Sequence, residues 1–331
     1  MQFRTEIELP GQLASLSQQQ RGLAMGSCFA DRMGERLALA RFPLQINPLG
    51  ISYHPLALAR LLHLITQQQT PEPQYAPHLE AWHSFDLHSR FNQPSRSEFL
   101  IAVEEAIQQT HDWLMQCDYL LVTFGTAWAY RHQAQQQLVN NNHRYPARTF
   151  TRELLYPDQI VNTWQACIHE LRSWRPHLQV LLTVSPVRHT RDTLVGNQLS
   201  KATLRLACHQ LCEALPHVQY FPAYEIMLDD LRDYRFYTDD LIHPSAFAEQ
   251  YIWEKFTQCC LSAPAREVLA RWEAVQRDLN HRPRQTHGQA YRRFLRQLQH
   301  KLNTLAPQLD VAEEQRQVQR LLDSLPDASD A

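Results

Sequence analysis

The stretch Leu23-Ala24-Met25-Gly26-Ser27-Cys28-Phe29-Ala30 carries the reading of the fold. A short apolar run, the length of a strand, ends near Met25. Small residues follow, and then Phe29, Met33, Leu37 and Ala40 recur at spacings of three and four, the signature of one buried helix face. The turn at Gly26 therefore joins a strand directly to a helix, and such junctions are where α/β proteins place their sites.

Working outward, apolar runs of strand length alternate with amphipathic stretches of helix length. Helices are expected over His54 to Gln69, Ser97 to Cys117, Asp158 to Arg175 and Asn197 to Leu215. Between them Tyr119 to Phe124, Gln179 to Val184 and Val218 to Phe221 read as strands, the first two nearly continuous in apolar residues and hence buried on both faces. The pattern predicts a parallel sheet covered by helices on both sides. Residues Ala127 to Arg144 alternate less cleanly and contain Asn140-Asn141-Asn142, which predicts a hairpin inserted at a strand end. From Ala263 the composition turns to Arg, Gln, Glu and Leu, with helical periodicity broken at His281-Arg282-Pro283 and Ala306-Pro307. We therefore expect an α/β domain over 1–262 and a helical extension of about three helices over 263–331. Periodicity leaves open whether that extension packs on the domain, projects from it or pairs with another subunit.

Composition narrows the function. A 44% hydrophobic chain of 331 residues can bury a large core, which excludes disordered and disulfide-stapled classes. Thirty-two basic and 34 acidic side chains, a formal charge of −2 without long like-charge blocks, give no electrostatic footprint for nucleic acid. The apolar run Tyr119 to Tyr130 is too short to span a bilayer, and the first 20 residues hold no signal-peptide core, so a cytoplasmic location is the default expectation. Seven cysteines, with no CxxC pair and no Cys/His cluster at metal-ligand spacing, argue against structural disulfides, a metal or another cofactor. His78, His83 and His88 fall in a polar stretch and read as surface residues.

Two features carry chemistry. A strand-to-helix turn surrounds a small nucleophile with backbone N–H groups and the positive helix end, which stabilises an oxyanion and lowers a thiol's pKa. Both Ser27 and Cys28 qualify, although a tight turn with a packed cysteine would look the same. Near the other end of the α/β unit, Asp240-Leu241-Ile242-His243-Pro244-Ser245 sets a carboxylate three residues before a histidine, ahead of a helix whose first turn Pro244 would pre-set. A carboxylate holding one ring nitrogen leaves the other for general base catalysis; otherwise Asp240 caps the helix or pairs with an arginine. Arg188 and His189 follow a strand and belong on the same rim. There Arg188 could bind a substrate carboxylate or phosphate, or pair with Asp192 or Glu225. Tyr53, Trp128 and Tyr224 could line a pocket or serve the core.

A nucleophile after the first strand and an Asp-x-x-His after the last resemble the first and last blocks of the SGNH, or GDSL-like, hydrolases. The string Gly26-Ser27-Cys28-Phe29-Ala30 is moreover the naming motif of the GSCFA family. Further segments resemble it: Pro48 to Tyr53, Gly125-Thr126-Ala127-Trp128, Asn141-Asn142-His143, Ser185 to His189, Ser200-Lys201 and Asp240 to Ser245. The resemblance implies a three-layer α/β/α, flavodoxin-like fold bearing an esterase-like or O-acyltransferase-like site for an acylated small molecule or glycan. Laid over the superfamily's Gly-Asp-Ser, the turn puts Cys28 at the nucleophile position, ahead of Ser27. The superfamily's Gly-x-Asn-Asp block is replaced by Gly125 to Trp128, so its asparagine oxyanion donor is missing. The Cys28 N–H, Gly50, Thr126, Asn141 and His143 are the replacement candidates, while Gly50 and Gly125 could equally serve turns and Asn141 cap the hairpin. The missing block also keeps open a non-catalytic ligand-binding module on the same fold, and the polar tail a helper subunit. Substrate and oligomeric state are beyond the sequence.

Overall fold

The computed structural model describes residues 5–9, 11–281 and 288–325. Its elements run β1 (Gly22–Gly26), α1 (Cys28–Leu39), β2 (Leu44–Ile46), α2 (Pro55–Thr66), β3 (Gln74–Ala76), β4 (Ala81–His83), α3 (Arg96–Leu114), β5 (Tyr119–Phe124), β6 (Trp128–His132), β7 (Leu138–Val139), β8 (Phe150–Leu154), α4 (Pro157–Trp174), β9 (Gln179–Val184), α5 (Thr193–Ala214), β10 (Val218–Tyr220), the one-turn α6 (Ala223–Glu225), α7 (Ala246–Cys260), α8 (Ala263–Asn280), α9 (Gln289–Leu305) and α10 (Ala312–Asp323).

Five strands form one parallel sheet in the order β10-β9-β5-β1-β2. Counted along the chain, that is the doubly wound order 2-1-3-4-5, whose direction reverses between β1 and β5. Side chains alternate across the sheet. Leu23, Met25, Leu120, Val122 and Phe124 pack against α2, α3, α4 and α5, while Ala24, Tyr119 and Leu121 pack against α1 and α7. The result is the expected three-layer α/β/α arrangement, and burial on both faces explains the unbroken apolar runs of β5 and β9. β2 carries no such run: it is a three-residue, half-buried edge strand.

Two expectations change. The insertion after β5 is a three-stranded antiparallel sheet, β7-β6-β8, rather than a hairpin ending at Arg144. β8 pairs with all of β6, from Trp128 opposite Leu154 to His132 opposite Phe150. Its central Thr151 and Arg152 are exposed, so its sequence has no apolar alternation to announce it. The second correction concerns the polar stretch, which forms the β3–β4 hairpin and delivers His83 to a fully buried position beside Phe85, Tyr145 and the His143 ring. Packing against the insertion buries it; local polarity did not reveal that partner. His78 is exposed and His88 half-buried.

The C-terminal helices share an apolar cluster built on Val268, Trp272, Val275, Leu298 and Leu302. They pack on the α/β layers: Trp272 Nε1 donates to the Leu39 carbonyl at 2.7 Å, Arg41 lies over the Trp272 ring, and Arg41 pairs with Glu314. Of the break at His281-Arg282-Pro283, Arg282 and Pro283 lie outside the described residues; α8 ends at Asn280 and α9 begins at Gln289.

Candidate active site

β1 ends in Gly26, whose φ of +145° and close approach to β5 admit no side chain: a Cβ there would stand 2.3 Å from the Thr123 carbonyl oxygen. This lets the chain swing from strand into α1 at the point where the sheet order reverses. Ser27 is the N-cap residue and Cys28 the first helical one. One residue of helical rotation separates their fates. Ser27 is buried, its Oγ has no hydrogen-bond partner, and its Cβ packs toward Gly125. Cys28 is half-buried and lines a groove of about 390 Å³ together with Arg32, Val187, Thr238, His243 and Glu249.

His243 reaches that groove from a loop clamped by Asp240. One carboxylate oxygen accepts His243 Nδ1–H at 2.6 Å; the other accepts from Thr238 Oγ1 at 2.6 Å and from the backbone N–H groups of Ile242 and His243 at 2.8 and 3.0 Å. These bonds, led by Thr238 and the imidazole, hold the Asp240 carboxyl well below the usual carboxylate range. An ionised carboxylate can only accept, so the proton sits on Nδ1 and Nε2 is left as the basic nitrogen. The helix cap is Ser245, whose Oγ accepts from Ala248 N–H, so Asp240 is not spent on capping. Pro244 stands before the cap, outside the helix, and bridges to Tyr237 instead of opening the first turn.

The turn does not make the thiol acidic at rest. Burial and the nearby Asp31 carboxylate raise the Cys28 pKa, and together they outweigh the Cys28 and Phe29 N–H groups and Lys201, which pull it down. Half-burial of a sulfur costs more here than the helix start returns.

The remaining predicted residues divide. Gly50 serves its turn: φ is +91°, its N–H donates to Asn47 O, and a Cβ would meet His88 at 2.1 Å. Thr126 is engaged with Ser200 and the Trp128 N–H, and the N–H groups of Gly125 and Thr126 both reach the Tyr53 carbonyl. Asn141 accepts from the His143 N–H, and His143 is buried with Nε2 2.8 Å from the Ser84 carbonyl, so both are fastened into the insertion. Arg188 pairs with neither Asp192 nor Glu225, which take Arg152 and Arg205. It lies over the Tyr234 and Tyr237 rings and binds the Leu241 carbonyl, bracing the loop that bears His243. His189 stands against Tyr53 with its Nε2 buried and unpartnered; burial, with Lys201 and His243 nearby, lowers its imidazole to about 3. Trp128 and Tyr224 are engaged with Gly196 and Gln198.

Ser200-Lys201 entered the sequence reading only as a family-like segment, with no role attached to Lys201, which is 1% exposed. The signal was present: Asn197, Ser200, Leu204, Cys208 and Leu211 make the buried stripe of α5, and a lysine falls within it. Among the described residues no group of His, Cys, Asp or Glu side chains could hold a metal ion, and no helix is long and apolar enough to cross a membrane.

No curated protein matches the chain significantly. Among solved structures, one from Streptococcus pneumonia, provisionally described as a platelet activating factor, is 13% identical over 72% of this chain and 82% of that one, with a TM-score of 0.40. A similarity that low adds nothing to the fold already described. The model of the GSCFA domain protein C-terminal domain matches residues 272–324. The GSCFA family model matches residues 21–256, from the first residues of the sheet through most of α7 and more than two thirds of the sequence, and the chain accordingly belongs to the GSCFA family.

Proposed function

We propose that the chain is an acyl-transfer enzyme of the SGNH, or GDSL-like, kind: an esterase or O-acyltransferase with Cys28 as nucleophile, His243 as general base and Asp240 as its orienting partner. The observation that carries this reading is the Asp240–His243 pair at 2.6 Å, with its imidazole lining the same groove as Cys28. His243 Nε2 takes the thiol proton as sulfur attacks the ester carbonyl. The Cys28 and Phe29 N–H groups at the start of α1, which face the sulfur at rest, receive the oxyanion, and the imidazolium returns its proton to the leaving alkoxide. Water or a second alcohol then releases the acyl group by the reverse sequence. Because the resting thiol pKa is raised, His243 is needed as a base rather than as a mere electrostatic neighbour.

On this reading the substrate is an acylated small molecule or an acylated glycan. The test combines a short-chain acyl ester panel with a thiol-directed probe and a fluorophosphonate on wild-type, Cys28→Ala, Ser27→Ala and His243→Ala proteins. Turnover and Cys28 labelling that vanish in Cys28→Ala and His243→Ala but survive in Ser27→Ala support the reading. Ester turnover unchanged by loss of Cys28 and His243 sinks it, as does their dispensability for tight ligand binding with no turnover at all, which is the behaviour of a non-catalytic binding module.

A further inference from the structure

A second groove, of about 390 Å³, opens at the amino ends of β9 and β10 and shares no lining residue with the one that holds Cys28. Three segments build it. The strap ahead of β1 crosses one side: the Leu13 N–H binds the Cys259 carbonyl at 2.8 Å, and the Gln12 amide donates to the Cys259 and Leu261 carbonyls, each at 3.1 Å. The end of α4 and the loop into β9 bring Arg172 and His177, and the loop into β10 brings His217. Two bonds fix that wall. Arg172 Nη1 donates to the Leu178 carbonyl at 2.6 Å, and the His217 carbonyl accepts from the Val180 N–H at 3.0 Å.

The lining is one-sided in charge. Arg172 is half-buried and forms no ion pair among the described residues, and no aspartate or glutamate lines the groove. His217 Nε2 is buried without a hydrogen-bond partner, although nearly every buried polar atom in a folded protein has one. The carbonyls that end α4 account for one cation nearby. They do not account for two imidazoles, carried on separate loops, that line the same groove. Burial, with Arg172 and His169 nearby, holds the His217 imidazole below its usual value, and an anion seated among these groups reverses that pull. Beyond the charged wall, Gln179, Gln219 and Ser15 offer amides and a hydroxyl, while Leu13 and Pro216 add apolar surface.

We infer that this groove is a binding site for a small phosphate monoester with a hydroxylated body, of the sugar-phosphate class. Arg172 spends Nη1 on Leu178 and keeps its Nε and Nη2 edge, which matches two phosphate oxygens side by side. His177 and His217 add donors to the phosphate, and the glutamine amides and Ser15 meet the hydroxyls of the body. The volume is that of a small-molecule site and exceeds what bare phosphate fills. The site stands at the amino edge of the sheet, away from the Cys28 and His243 chemistry, so its occupancy does not depend on the acyl-transfer reading.

Isothermal titration calorimetry on the full chain tests this with ribose 5-phosphate and glucose 6-phosphate as probes and inorganic phosphate, ribose and glucose as controls. At least one ester is expected to bind saturably and about tenfold or more tighter than inorganic phosphate, with no heat from either free sugar. Arg172→Gln is expected to weaken that ester about tenfold or more, since it removes a charged donor with two parallel N–H groups. Because Arg172 also holds the Leu178 carbonyl, His177→Glu is the companion variant: its side chain is exposed, and it sets a like charge against the phosphate for a loss of about tenfold or more. Circular dichroism and Tm establish the fold of each. Three results overturn the proposal: neither ester saturating by about 10 mM, inorganic phosphate binding as tightly as the esters, or wild-type affinity in either folded variant.

Discussion

At the scale of single residues, a shift of one position along α1 separates a sealed side chain from an accessible one. Ser27 caps the helix and turns inward; Cys28 begins it and meets the groove. Asp240 is the residue with the most specific expected effect. Asn in its place keeps the shape but presents an amide to Nδ1, favouring the wrong tautomer, so kcat on any accepted ester should fall by on the order of 10³ to 10⁴-fold with the fold intact. A loss under tenfold, measured beside an unchanged Tm, would remove Asp240 from that role. Gly26→Ala tests the turn. A Cβ 2.3 Å from the Thr123 carbonyl forces β1 and β5 apart, and destabilisation of about 2 kcal/mol or more is expected in urea unfolding. Both residues stood out in the sequence, because a glycine between strand and helix and a carboxylate three residues before a histidine are local patterns. Lys201 drew notice only within a family-like segment and with no role, since its hydrogen bonds go to the Gly125 and Ser185 carbonyls, 76 and 16 residues away along the chain.

At the scale of elements, helices and buried strands were legible because periodicity records which faces are covered. α4 illustrates the energetics: Ile160, Trp164 and Ile168 form its buried stripe, and Trp164 Nε1 donates to the Pro55 carbonyl at the start of α2. Trp164→Ala removes a large ring and that bond together, with an expected loss of about 3–5 kcal/mol in unfolding free energy, read from urea denaturation. β2 and β8 were illegible for the same physical reason. An edge strand half-open to water and a strand with exposed Thr151 and Arg152 bury too little to impose a pattern. With β8 included, the insertion is larger than a hairpin, and it holds His143 and Asn141 by bonds internal to itself and to the segment just after β4.

At the scale of the whole molecule, several histidines are buried neutral, and that links stability to pH. His54 caps α2 with Nδ1 while Nε2 binds the Val139 carbonyl of the insertion, and burial lowers it to about 4; His83 is likewise lowered to about 4. With folded values below the unfolded value near 6.5, the unfolded chain binds protons first. The contribution is therefore complete above about pH 6.5 and is lost as pH falls toward 4, about 3 kcal/mol for His54 alone. Urea midpoints should decline across that window, and a flat profile would contradict it. Trp272→Ala should release the C-terminal helices from the Leu39 and Arg41 contacts, read as faster hydrogen exchange in α8 to α10 while the sheet stays protected. The sequence by itself determined the layered α/β class, the strand-to-helix turn and the Asp-x-x-His loop, because these follow from local periodicity and spacing. Tertiary structure alone decided the 2-1-3-4-5 strand order, the extent of the insertion, the seating of the C-terminal helices and the burial of Ser27 beside a groove that Cys28 lines. Each of those depends on which distant surface covers a residue, and a chain does not write its long-range partners into its local pattern.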